Sequence, residues 1–485
     1  MCMKNFLLVF SFLFISLASF GQQFSQYNTG TLYDSFENPS RASFIPDSSR
    51  QFAFNFLIPN FNSNVYLTGN AQGPLKNRAF KGKYFATGLT LGENRFSRAN
   101  VSANVYALMF KSFRSLDGNQ EVGFSVQTRA DGRGIFTDES LLLLNTAAPF
   151  TSNVPYPNLF NNSYTYQSYH QFSATYREQV SKTFAFGVKL SALLGIQYQQ
   201  LQINQSNIVF DKANDVADLS LQGRYRINFT PDEFTAHDLL PSFRSPGASI
   251  SLGSTIRTRD NFTIQFNVKD IGFIHWYNQS ITSNFNTTRT IKNITGTRRE
   301  DNLYANTFLI IRSGDKKGSF VTPTNGKIEV SANKSYWFDY DRKFKYSPTI
   351  IVQKEVFYDG YTAALVNPFQ YNNLVGTLTT SYNNFGLFNA GLQFMVKAPN
   401  VEFYMGSDRV IESANLFRAG VSKSTAAINK NSSFSGADFF LGFSLKFGNV
   451  IEHPTNANFI PLGEKPGLIK RIWNSIFHHN DDDGT

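Results

Sequence analysis

The sequence predicts an all-β fold, a transmembrane antiparallel β-barrel of about 14 strands with roughly 12 to 16 allowed. Three observations predict it: a secretory leader, strands of strict period two joined by tight turns, and basic side chains confined to one phase of those strands. The leader is residues 1–21. Lys4 gives its positive start, Phe6 to Leu17 its apolar stretch, and Ser19-Phe20-Gly21 its cleavage site before Gln22. The stretch is shorter than the roughly 18 to 20 residues a spanning helix needs, so removal is expected. Cys2, the one cysteine, leaves with it, and the mature chain then holds no disulfide or thiolate metal site.

Composition supports one long unit. Charged residues make up 16%, against about 25% in soluble domains, while aromatics reach 15% with 50 Phe. A chain of 485 residues could hold several soluble domains, but barrels run longer as one unit, and no Pro-rich or Ser-rich linker divides it before about residue 448. The expected organisation is leader 1–21, barrel 22–447 and a periplasmic tail 448–485. A mean hydropathy of −0.26 excludes a helical membrane protein and suits a barrel with one polar face.

Four stretches carry the strand pattern. Phe172, Ala174 and Tyr176 alternate with Gln171, Ser173, Thr175 and Arg177, then Phe184, Phe186, Val188 and Leu190 alternate with Ala185, Gly187, Lys189 and Ser191. Ile250, Leu252 and Ile256 alternate with Ser249, Ser251, Thr255 and Arg257. Beyond Arg259-Asp260-Asn261 the series resumes as Phe262, Ile264, Phe266 and Val268 against Thr263, Gln265, Asn267 and Lys269. Ala390, Leu392, Phe394 and Val396 alternate with Gly391, Gln393 and Lys397, and Ala398-Pro399-Asn400 turns into Val401, Phe403 and Met405. Phe439, Leu441, Phe443, Leu445 and Phe447 alternate with Gly442, Ser444 and Lys446.

Energy decides which face meets lipid. A Lys or Arg on the lipid face near the midplane costs about 2–4 kcal/mol, so Arg177, Lys189, Arg257, Lys269, Lys397 and Lys446 are expected to line the lumen. Alternation also fits a soluble sandwich or propeller, but tight turns near 178–183, 258–261 and 398–400, separated by long stretches, favour short periplasmic turns and long outer loops. Tyr176, Trp276, Tyr277 and Tyr404 are expected at the membrane interfaces.

Helical inserts break the pattern. Thr230-Pro231-Asp232-Glu233 has the form of a capping box, with Thr230 and Glu233 as its partners, and predicts a helix from about Pro231 to Leu240. Asp138 to Leu144 predicts another short helix starting at Thr137. In the tail, Leu468, Ile469, Ile472, Trp473, Ile476 and Phe477 recur at helical spacing beside Lys470 and Arg471, an amphipathic helix that could lie on the inner leaflet, plug the barrel from below, bind a partner helix or pack on its own barrel.

Chemistry-bearing motifs are few. His170, His237, His275, His453, His478 and His479 sit in no nucleophile motif, and no GxSxG, HExxH or Walker pattern occurs, so a non-enzyme without cofactor is expected. The terminal His478, His479 and Asp481 to Asp483 resemble a metal-binding patch, but no metal is expected at a frayed end. Asp211, Asp215 and Asp218 fit no EF-hand spacing and read as a solvated loop. Rings and cations occupy opposite strand faces, which argues against nucleic acid as a partner.

Two segments carry a resemblance. Val268-Lys269-Asp270-Ile271-Gly272-Phe273-Ile274-His275-Trp276 resembles a DxGxIxW-like segment, through Asp270, Gly272 and Trp276, of an uncharacterised outer-membrane barrel family from bacteria with type IX secretion. The run Val401 to Val410 is similar to that family's late strand ending in a Ser-Asp pair, here Ser407 and Asp408, and Tyr169 to Ile196 to its long hairpin. A looser similarity, through Phe24-Ser25-Gln26-Tyr27 and Glu37-Asn38-Pro39, is to the PorP/SprF-type accessory barrels of type IX secretion and gliding. The resemblance implies a barrel and names no substrate.

Two functions are expected in the cell outer membrane. One is a passive channel or uptake barrel whose cationic lumen admits small anionic solutes. The other is a non-transporting scaffold for secretion, gliding or surface-protein anchoring, with outer-membrane lipid around it and periplasmic or secretion-machinery proteins met through the tail. For the channel, the contrary arrangement is a closed interior in which the cations pair with acids such as Glu402.

Overall fold

The computed structural model describes residues 24–44, 49–55, 58–85, 88–113, 118–229, 235–430, 433–450 and 467–477. The leader 1–21 with Cys2, the residues Thr230 and Glu233, and the terminal His and Asp cluster lie outside the described residues, as do the side chains of Ile476 and Phe477.

The chain forms a closed 14-strand antiparallel barrel. Its first strand, β1, is made of two segments, Arg50–Phe54 and Asn60–Thr68. The next four are β2 (Phe96–Phe113), β3 (Gln120–Thr137), β4 (Ser163–Gln179) and β5 (Phe184–Asp211). Then come β6 (Pro246–Arg257), β7 (Phe262–Trp276), β8 (Lys327–Lys334), β9 (Thr349–Glu355) and β10 (Tyr361–Tyr371). The last four are β11 (Leu374–Asn383), β12 (Phe388–Lys397), β13 (Val401–Ser407) and β14 (Phe434–Val450). Each strand pairs with its sequence neighbours, and β14 closes on β1 with Ala53 opposite Lys446 and Phe61 opposite Leu441.

The predicted phases hold. Phe266 and Phe394 stand 47% and 46% exposed on the outside, while Gln265, Asn267, Lys189 and Lys446 are buried on the inside. Tight turns join β4 to β5, β6 to β7 and β12 to β13, and define the lower end. The expectation of short lower turns and long outer loops needs correction at three places. The outer turns after β9 and β11 are short, and the lower connection 335–348 is long because it carries a small antiparallel pair, Tyr336–Trp337 with Phe344–Tyr346.

Above the barrel stands an outer domain. β5 has 28 residues, about 90 Å at roughly 3.3 Å each, far more than the 9 to 11 residues that roughly span a bilayer. Its upper part pairs with Val216–Ile227, which pairs with Ile281–Lys292. Helices cover this small sheet. Thr137 caps Asp138–Asn145 by accepting a hydrogen bond from Ser140 N, as the sequence predicts, and Asp138 and Glu139 complement the helix N-terminus. With Arg299–Ile311 this helix buries Leu142, Leu143, Leu303 and Ile310 against Phe150, Ile208, Phe210 and Phe285.

The expected helix 231–240 is described only at its end, where Ala236–Leu239 forms one 3-10 turn; the Asp238 carboxylate accepts from Thr235 N and Oγ1.

Candidate functional site in the barrel lumen

Residues 24–44 do not join the wall: they run inside the barrel and fill it. They carry no period-two alternation. A 3-10 turn, Phe24–Gln26, is followed by one short helix, α1 (Leu32–Glu37). Thr31 and Asp34 start that helix: Thr31 Oγ1 accepts from Asp34 N at 3.2 Å, and Asp34 Oδ2 accepts from Gly30 N, one residue before the cap, at 2.9 Å.

Contacts to the wall follow this segment along its length. At the upper end Asp408 accepts from Phe24 N at 2.7 Å and from Ser25 Oγ at 2.6 Å. Glu402 accepts from Leu32 N at 2.9 Å while pairing with Lys446 at 2.6 Å. Basic side chains of the wall then donate to backbone carbonyls: Lys397 to Thr29, Lys111 to Ser35, Arg177 to Ser40 and Lys446 to Ser43. Charge-assisted bonds of this kind are stronger than neutral ones. The face of α1 is apolar, with Leu32, Tyr33 and Phe36 packed on Tyr106, Met109 and Tyr404.

A buried ion cluster joins segment and wall. Lys269 pairs with Glu37 of the segment, and Asp270 pairs with Arg129 and, at 2.9 Å, with Lys189. Asp270 also accepts from Gln171 at 2.9 Å and Ser251 at 3.1 Å. Adjacent residues of a strand normally face opposite ways. Here a bulge between Val268 and Ile271, with Asp270 at φ 49°, turns both Lys269 and Asp270 inward.

The segment also needs bare backbone beside it. Gly187 on β5 lies opposite Gly253 on β6, and Asn38-Pro39-Ser40 rests on the flat patch they make. A Cβ on Gly187 would stand 2.0 Å from Pro39 O, and one on Gly253 2.4 Å from Asn38 Oδ1. The space left between segment and wall is a cavity of about 70 Å³ lined by Tyr27, Tyr33, Glu37, Arg129, Lys269 and Glu329 among others. At roughly 10–15 Å³ per water, it has room for several waters.

The structure brings most sequence-predicted site residues together. Arg177, Lys189, Lys269, Lys397 and Lys446 meet acids or carbonyls inside, and Arg257 is exposed at the lower rim. Asp270 and Asp408 of the family-like segments both hold the interior. Trp276 and Tyr404 correct the interfacial expectation. After the bulge the inward phase of β7 is even-numbered, so Trp276 is buried and donates from Nε1 to Thr322 at 2.9 Å. Tyr404 shares Glu402's face and accepts from Asn60 at 3.1 Å.

Outside the lumen, each loop carboxylate has its own partners. Asp211 accepts from Asn214, Asp215 from Thr295 and Asp218 from Thr290, and no group of three metal-ligating residues occurs among the described residues. The tail helix Leu468–Phe477 forms as expected. Glu178, at the lower end of β4, accepts from Ile469 N at 2.9 Å and Lys470 N at 3.1 Å, and the Trp473 ring lies 5.4 Å from Phe184.

Sequence reasoning missed the internal segment itself. The Thr31-x-x-Asp34 start and the facing glycines were its available signals.

Comparison with known proteins gives remote likeness among solved structures. The chain is similar to the TodX deltaS2S3 mutant monoaromatic hydrocarbon channel at 10% identity and a TM-score of 0.42, covering 89% of this chain and 98% of that one. It is similar to the P. putida toluene transporter TodX at 8% and 0.41, covering 85% and 93%. The translocator domain of autotransporter NalP from Neisseria meningitidis follows at 7% and 0.32, covering 83% and 90%. No curated protein matches. Residues 27–408 match the family model described as a family of unknown function, DUF5723.

Proposed function

Because the chain belongs to this family of unknown function, DUF5723, its activity has to be read from its own lumen, and we propose a passive channel or uptake barrel of the outer membrane, closed at rest by residues 24–44. The carrying observation is the row of wall cations that bind the segment's carbonyls. Displacing the segment frees Lys111, Arg177, Lys397 and Lys446 to line a path, and removes the carboxylates of Asp34 and Glu37. Two wall acids stay beside these four cations: Glu121 faces Lys111 at 3.4 Å and Arg177 at 3.5 Å, and Glu402 faces Lys446 at 2.6 Å, which leaves an excess of positive charge for small anionic solutes.

The closed state is the stable one. Phe24, Leu32, Phe36 and Phe44 are buried in it, and each such side chain contributes about 1.5–3 kcal/mol. Opening therefore needs a ligand or a partner that favours the displaced segment.

Planar-bilayer recording tests this reading. The full chain is expected to be silent, and a variant lacking residues 24–44 to carry anion-selective current. A deletion variant that keeps heat-modifiable barrel mobility on gels yet stays silent would sink the channel reading, and would favour the accessory scaffold of secretion or gliding that the PorP/SprF similarity implies.

A further inference from the structure

The tail helix (Leu468–Phe477) is fixed to the barrel at one end and, among the described residues, leaves Leu468 and Ile472 of its apolar side exposed. Glu178 holds its first turn through Ile469 N and Lys470 N. Trp473 touches Phe184, the first residue of β5 and the start of the outward series Phe184, Phe186, Val188 and Leu190. That contact sets the helix at the lower edge of the barrel's apolar belt. At 100° per residue, Leu468, Ile469, Ile472 and Trp473 share one half of the helix surface, and Lys470, Arg471 and Asn474 the other. Leu468 and Ile472 are 57% and 53% exposed.

We propose that this helix is a lipid-binding element that lies in the plane of the membrane interface, its Leu468/Ile472/Trp473 side in the acyl region of the leaflet at the lower end and Lys470 and Arg471 among lipid phosphates. The apolar side is continuous with the belt through Phe184, so the solvent that covers the belt covers the helix. A helix with one apolar and one basic side is the form that binds at such a boundary. Glu178 supplies the register: it pins the N-terminus at the barrel rim, and the orphan amide donors there gain a charged acceptor. The assignment rests on the membrane reading of the barrel.

Nitroxide labels on the full chain in anionic phospholipid vesicles test it, placed one at a time through Ile472→Cys, Asn474→Cys and, in the belt, Phe266→Cys, each in a Cys2→Ser background. The ratio of collisions with dissolved oxygen to collisions with a water-soluble nickel chelate is expected to be as high at 472 as at 266, and several-fold lower at 474. A ratio at 472 as low as at 474, with 266 still high, overturns the helix assignment alone. Low accessibility to both reagents at 472 also overturns it, in favour of a protein partner or a second copy. A low ratio at 266 overturns the membrane reading and the helix assignment with it.

Discussion

Two regions of the molecule are packed by opposite rules: the outer domain by apolar side chains, the internal segment chiefly by carbonyls, carboxylates and cations. The outer domain has one continuous core in which Phe150, Ile208, Phe210, Phe285 and Ile310 exclude water. The internal segment has a short apolar helix face flanked by polar contacts on both sides. A hydrogen bond contributes only about 0.5–1.5 kcal/mol net because water can replace it, whereas buried apolar area has no such substitute. The outer domain is therefore built to keep its shape, and the stretches 24–31 and 38–44 are held mainly by bonds that water can replace once the segment is displaced.

The largest expected effect falls on the apolar side of this contrast. Phe210→Ala leaves a cavity among Phe150, Tyr156 and Phe160 and should cost about 3–5 kcal/mol. Limited proteolysis should then cut the outer hairpin while amide exchange of residues 24–44 stays unchanged. Loss of protection in both regions would show that they are one cooperative unit. Glu37→Gln comes next. It leaves the buried Lys269 ammonium facing a neutral amide in place of a carboxylate, at about 1.5–3 kcal/mol for a hydrogen bond to a charged group. Exchange in α1 should rise accordingly, with the outer domain unaffected. Tyr27→Phe removes the bond from Tyr27 Oη to the Glu329 carboxylate and should cost no more than about 1.5–3 kcal/mol, read as faster exchange confined to residues near 24–29.

How much of this was legible in the sequence follows from where the rules are local. Period-two alternation fixes both faces of β5, β12, β14 and the part of β7 before its bulge, because a Lys facing lipid near the midplane is expensive. The helix at Asp138–Asn145 was legible because its cap, Thr137, lies beside it. The inward turn of Asp270 was not, since a bulge adds one residue that alternation cannot announce, and Trp276 was placed outside for the same reason. The internal segment escaped because its partners are remote: Phe24 meets Asp408 and Leu32 meets Glu402. The sequence pattern puts six cations in the lumen and leaves open whether they face solute or pair with acids such as Glu402; five of them hold acids or carbonyls of the same chain, a match no single strand displays.

The smallest expected effect lies where the outer domain departs from its own rule, at its polar turn. Hydrogen bonds from the Asn214 side chain and backbone lower the Asp211 carboxyl below its usual range, and Thr295 does the same for Asp215. A carboxyl whose value is depressed by folding contributes stability that is complete above its unfolded value and is lost as pH falls through the folded one. Between neutral pH and the ordinary carboxylate range the turn should therefore be unaffected, and below that range the 211–215 turn and its link to Thr295 should loosen. Both groups are exposed, so the change should stay local. Amide exchange at Ala213, Asn214 and Thr295 should accelerate on acidification, beyond the intrinsic pH dependence, while Phe210 and Ile208 in the core keep their protection. Equal loss at Phe210 would mean that the polar turn supports the apolar core, and would erase the distinction between the two kinds of packing within this domain.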